Sequence, residues 1–329
     1  MKADVSKKEA RYKLKTDYFD YLKNTAQEVD PYVQNFLEHH FSRHAGLREQ
    51  LLKRYRFGKP QLRPGIVRLS FEVVGGKNWK KIIPACAAVE VRDTSYYCID
   101  DILDQAAPLR LVLPALAFHA ASHAMILDLG NCIPQSQFAK IQHEIVRLDE
   151  DTVQAGAFDE EMRGTDEQYY WKKVEGYNFW DEALKIGAIL GGGTDKQIAL
   201  LGRIGNTIGK AHIVANDTWD VAKKCEDVRQ GKYTLPIIFA LTHATNDNKA
   251  KLKNFLGKKN LSDNETDTVR KIMVRCGAIE HGKLVARELC DKAMTLLSQL
   301  PESNARKLLE FSTTYTQKSK FYDVLNAYA

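Results

Sequence analysis

Two short stretches carry the residues best suited to do chemistry. "YYCIDDILD", residues 96–104, sets Asp100, Asp101 and Asp104 in an apolar run, and "IVANDTWDV", residues 213–221, sets Asn216, Asp217 and Asp220 in another. Side chains three and four apart share one face of a helix, so each set crowds its oxygens together. Crowded carboxylates repel, and burying an unpartnered one is costly. A hard divalent cation relieves both penalties, and an oxygen-only ligand set selects magnesium. Asn216 would ligate through its carbonyl oxygen, without charge. Two matching sets facing each other would clamp magnesium around a diphosphate and neutralise a departing pyrophosphate. All six residues are expected as metal ligands, with Asp100, Asp104 and Asp217 central to catalysis.

A diphosphate also needs cations. Lys59 and Arg63 lie in "GKPQLRP", and Lys232 precedes "TLP". These three are expected substrate ligands.

The elements that must position these residues read as helices almost throughout. Apolar residues recur at three- and four-residue intervals in "DYFDYLKNTAQEVDPYVQNFLEHHF" and "LLGRIGNTIGKAHIVA", and no run alternates as a strand would. Ser262 is an expected helix N-cap, and the helical pattern beyond it stops at Pro301. Breaks are expected at 56–65, 130–135, 155–167, 190–195 and 242–249. The pattern implies one all-α domain over residues 1–329, with 1–20 as a basic tail.

The chain has 329 residues, 44% hydrophobic and 27% charged, with a net charge of +6. That mild charge gives no reason to expect a nucleic-acid partner. The six cysteines have neither zinc nor redox spacing, which points to reduced thiols in a cytoplasmic protein. No signal peptide is apparent. The most apolar stretch, residues 111–127, is short for a membrane span and reads as a core helix. "GNTIGK" (205–210) lacks the hydroxyl residue of a phosphate-binding loop. His39, His40 and His44 read as surface residues, and His119 and His123 as core or cavity-lining ones.

Taken with "GAILGGG" and "DVRQGKYTLP", these motifs resemble the trans-isoprenyl diphosphate synthase, or polyprenyl synthetase, family over roughly residues 40–325. The resemblance implies an isoprenoid-synthase helical bundle around a central cavity, three magnesium ions, prenyl diphosphate substrates and a homodimer. It implies prenyl transfer: an allylic diphosphate ionises and a second substrate captures the cation. The resemblance also implies Arg110 and Lys223 as further substrate ligands, and Tyr96 would then line and floor a short cavity and favour a C15 to C20 product. Two rival readings remain, a terpene synthase acting on a single prenyl diphosphate and a non-catalytic subunit of a prenyl synthase.

Departures from the family pattern fall among the diphosphate ligands. "GKPQLRP" is one residue longer and lacks the middle arginine. Asp93 stands where the family has a histidine, and an acid there would repel a diphosphate. Leu109 replaces the first of two arginines. Glu175 and Gly176 replace a lysine–threonine pair, although Lys172 and Lys173 lie close by.

Overall fold

The computed structural model describes residues 2–55, 57–103, 109–161 and 167–325. Fifteen α-helices follow in chain order: α1 (Lys2–His40), α2 (Ala45–Arg54), α3 (Leu62–Val73), α4 (Ile83–Leu103), α5 (Val112–Leu127), α6 (Gln135–Glu161), α7 (Glu167–Gly176), α8 (Phe179–Leu190), α9 (Asp195–Lys223), α10 (Glu226–Gln230), α11 (Leu235–His243), α12 (Asn246–Phe255), α13 (Asp263–Arg275), α14 (Ala278–Leu297) and α15 (Asn304–Leu325). Two 3₁₀ turns, Trp79–Ile82 and Leu109–Leu111, lead into α4 and α5. The described residues contain no strand, as the helical periodicity requires.

The chain forms two compact units. One comprises residues 1–145, 182–202 and 300–311, and the other 146–181, 203–299 and 312–329. In the first, α4 packs along α5 and α3, and α1 lies against α3 and α4. The expected basic tail is instead helical from Lys2 onward. Tyr18 and Leu22 on that helix are buried, and the Tyr18 ring packs 5.2 Å from Phe311. A segment that buries a tyrosine gains too much apolar contact to remain a solvated tail.

Residues Leu109–Leu127 form a helical stretch long and apolar enough to cross a membrane by composition. Phe118, Ala121 and Met125 bury one face of it, whereas Leu109, Leu113, Leu116 and Leu127 are exposed.

In the second unit, α11 and α13 pack on α14. Tyr170 and Val174 of α7, Val214 and Ala215 of α9, Leu235 and Ile238 of α11 and Ala286 of α14 make one buried apolar layer. That layer fixes the rotation of α9. "GNTIGK" lies inside α9 and is a packing motif: a Cβ on Gly209 would sit 1.9 Å from the Asn178 side chain, and one on Gly205 2.5 Å from the Trp180 carbonyl oxygen.

Two expected boundaries move. The break at 155–167 starts too early, because α6 continues helical to Glu161. The run after Ser262 divides into α13 and α14 at Gly277, whose φ of +81° lies in the left-handed region that glycine reaches without strain. Ser262 itself caps α13 in a reciprocal capping box with Glu265. The surface histidines have ordinary roles. His44 caps α2 by accepting from the Leu47 amide at 3.1 Å, and His40 stacks on Phe36 with ring centroids 3.9 Å apart.

Candidate active site

The second aspartate set rides on the last turns of α9. Val214, Ala215 and Thr218 face the core, so Asn216, Asp217 and Asp220 fall on the adjoining side of the helix. Asp217 accepts a 2.8 Å hydrogen bond from the Tyr170 hydroxyl of α7. Asp220 accepts a 2.9 Å bond from the backbone amide of Asp227, which draws α10 back toward α9. Lys173 of α7 is buried and pairs with Asp159 of α6 at 2.8 Å. Lys232 approaches the same Asp159 at 3.7 Å.

Four carboxylates, Asp159, Asp217, Asp220 and Asp227, thus gather in a recess with two lysines, and their electrostatics record a shortage of positive charge. Burial raises the Asp217 carboxyl to about 6, with Asp159 and Asp220 adding to the rise, while Lys173 and the Tyr170 hydrogen bond oppose it. Asp227 is raised well above the usual carboxylate range, first by burial and then by Asp217 and Asp220. The neighbouring carboxylates hold Lys173 charged despite its burial. Asn216 Oδ1 and Asp227 Oδ2 are buried and accept no hydrogen bond from the described residues. Orphaned oxygens beside destabilised carboxylates fit a bound hard cation.

Asp159, Lys173 and Asp227 form part of this recess but were absent from the expected ligands. Asp159 lies in 155–167, a stretch with the composition of a loop, although α6 extends through it to Glu161. Lys173, two and three residues before Glu175 and Gly176, lies near Asp217 and Asp159. Glu175 is engaged by Lys210 at 2.6 Å, and a Cβ on Gly176 would meet the Asp151 carbonyl oxygen at 2.4 Å. Lys223 behaves differently from the expectation. It lines a groove with α13, together with Arg270, Lys271 and Arg275, and none of the carboxylates above lines that groove.

In the first unit, Asp100 and Asp101 occupy the last turn of α4, while Asp104 lies outside the described residues. The expected burial is not met there. Asp100 is exposed and Asp101 half-buried, and Tyr97, Ile99 and Leu103 are exposed on the same stretch. Carboxylates at a helix C-terminus oppose the macrodipole, so they too call for a cation. Arg54 of α2 supplies one by pairing with Asp101.

Arg63 of α3 is directed away from the expected role by its neighbours. Its guanidinium lies 2.6 Å from Asp93 and 3.9 Å from Glu90, and it donates to the Tyr97 hydroxyl at 3.0 Å. Burial opposes the charge, but Asp93, Tyr97 and Glu90 more than offset it and raise its pKa. Asp93 therefore occupies Arg63 in this structure. Lys59 is exposed on a loop secured by Asp30, which accepts from the Gly58 amide at 2.7 Å and from Gln61 at 2.8 Å. Arg110 is exposed on the turn before α5. Tyr96 is half-buried, edge-on to His119 at 6.2 Å and beneath Arg92 at 5.7 Å.

Comparison with known proteins places this arrangement. The sequence profile described as polyprenyl synthetase matches residues 120–273, a segment holding the second aspartate set but not the first. The short chain isoprenyl diphosphate synthase of Methanothermobacter thermautotrophicus is 28% identical over 277 residues, covering 77% of this chain and 84% of that protein. The geranylgeranyl diphosphate synthase of Methanosarcina mazei is 26% identical, covering 88% of this chain and 94% of its own. Residues 120–273 of this chain thus match the polyprenyl synthetase family, and similarity to prenyl diphosphate synthases extends over most of its length. The fold agrees: the geranylgeranyl pyrophosphate synthetase of Pyrococcus horikoshii superposes with a TM-score of 0.83 at 20% identity, over 92% of this chain and 98% of that one. Beside its second aspartate set the chain places Lys173 of α7, paired with Asp159.

Proposed function

We propose that this chain is a magnesium-dependent prenyltransferase. It ionises an allylic prenyl diphosphate and joins the resulting carbon skeleton to a second substrate. The observation that supports this best is the recess in the second unit, where Asp217, Asp220 and Asp227 gather beside Lys173 and Lys232 with the oxygen of Asn216 unsatisfied. Its metal ligands on this reading are Asp100, Asp101, Asp104, Asn216, Asp217 and Asp220, with three ions the expected complement. Bound there, magnesium neutralises the charge that builds on the departing diphosphate.

The chain's own residues have definable tasks. Tyr170 orients Asp217 through its hydroxyl, and Asp159 holds Lys173 and Lys232 in place. The two lysines offer charge-assisted contacts to diphosphate oxygens. Lys59 and Arg110 offer two more from exposed positions. The apolar layer beneath α9 excludes water, which an allylic cation would otherwise capture. Tyr96 bounds the hydrocarbon chain and favours a C15 to C20 product.

The enzyme acts as a homodimer in the cytoplasm on this reading. The exposed leucines Leu109, Leu113 and Leu116 recur at helical spacing and form an apolar stripe suited to a second copy. All six cysteines are free thiols, as suits a reducing compartment.

Substituting Asp217→Asn tests the assignment. It should raise the magnesium concentration needed for half-maximal activity and lower kcat/KM by roughly a hundredfold or more. Unchanged magnesium dependence would remove Asp217 from the metal site.

A further inference from the structure

The groove that takes Lys223 lies wholly within the second unit, between the end of α9 and one side of α13. It encloses about 560 Å³, within the size range of small-molecule sites. Lys223, Arg270, Lys271 and Arg275 line it against a single carboxylate, Asp267, and Ala222 and Val274 supply apolar surface. Asp267 is already engaged by Arg270 at 3.0 Å. Among the described residues, no ion pair holds the side chains of Lys223, Lys271 or Arg275. Like charges gathered this closely repel unless an anion joins them.

Arg270 is poised for that anion. One of its terminal nitrogens donates to the Lys223 carbonyl at the end of α9, and the other faces Asp267. Its Nε is buried and has no hydrogen-bond partner among the described residues. Complementing the helix dipoles accounts for Lys223 at the end of α9 and Arg275 at the end of α13. It accounts neither for Lys271 nor for the unsatisfied Nε. A guanidinium fork flanked by mobile ammonium groups suits tetrahedral phosphate oxygens. The apolar surface of Val274, itself exposed, suits an organic body attached to the phosphate.

We infer that this groove binds a phosphate-bearing ligand at a site separate from the aspartate sets. The phosphate comes from a free phosphorylated metabolite or from a lipid headgroup, and the chemistry of recognition is the same for both. An anion on Arg270 would act on the last turn of the helix that carries Asp217 and Asp220.

Calorimetric titration of the full chain with inorganic pyrophosphate, with EDTA present to suppress metal-dependent binding, tests the inference. Sedimentation with phosphatidylcholine vesicles, with and without phosphatidic acid, tests the lipid source. Lys271 and Arg275 are exposed, so K271E/R275E and the milder K271Q should both fold, as circular dichroism would verify. Saturable pyrophosphate binding that weakens tenfold or more in K271E/R275E, and less in K271Q, is the expected result for the free ligand. Binding only to phosphatidic acid vesicles, lost in the same variants, would assign the lipid. Equal binding by wild type and both variants, or no wild-type binding to either probe, would overturn the site.

Discussion

The Lys173 ammonium of α7 lies 2.8 Å from Asp159 of α6, and the same lysine lowers the pKa of Asp217 on α9. One buried cation thus serves carboxylates from two other helices. Lys173→Met should leave Asp159 and Asp217 without compensation and destabilise the fold by about 3 kcal/mol. Urea unfolding with EDTA present measures this. Added magnesium should restore part of the loss in the variant, because the ion then supplies the missing charge. A variant as stable as wild type would show that Lys173 does not hold the recess together.

Asp93 and Arg63 define a second test. Their 2.6 Å contact occupies the guanidinium that the family resemblance assigns to isopentenyl diphosphate. Asp93→Asn keeps the shape and removes the competing charge. The KM for isopentenyl diphosphate should then fall by about tenfold, the value of one charge-assisted contact. An unchanged KM in steady-state kinetics would mean that Arg63 takes no part in binding that substrate.

Much of this arrangement was legible in the sequence. The helical character of α9, the grouping of Asn216, Asp217 and Asp220 and the cap at Ser262 all follow from local spacing. Asp159 and Lys173 were not legible, because their meaning arises from a contact across fourteen positions that no periodicity encodes. Residues 155–161 resemble a loop in composition, yet packing keeps them helical to Glu161. Asp93 read as a carboxylate facing an anion, and its pairing with Arg63, thirty positions away, was not visible locally. Lys223 is expected from the sequence as a substrate ligand, and the structure sets it against α13.

Tyr96 is edge-on to His119 and provides the test of product length. Tyr96→Ala removes the ring and deepens the cavity, so mass spectrometry of the products should show longer prenyl chains. An active variant with an unchanged product distribution would place the cavity floor elsewhere.

The capping box of α13 carries a pH signature. Lys258 and the Ser262 backbone amide lower Glu265 from 4.5 to about 2 in the folded chain. A depressed carboxylate stabilises the fold above its unfolded pKa, and that contribution disappears as pH falls through the folded value. The Tm difference between wild type and Glu265→Gln should therefore be largest near neutral pH and shrink steadily below about pH 4.5. A difference independent of pH would assign the effect of Glu265 to something other than its charge.

The most direct measurement incubates the purified chain with farnesyl diphosphate and isopentenyl diphosphate, with magnesium or with EDTA, and follows pyrophosphate release alongside product mass. Prenyl transfer predicts a longer prenyl diphosphate formed in step with pyrophosphate, only when magnesium and both substrates are present. Hydrocarbon or alcohol formed from farnesyl diphosphate alone, or no turnover under any combination of these substrates and magnesium, would contradict it.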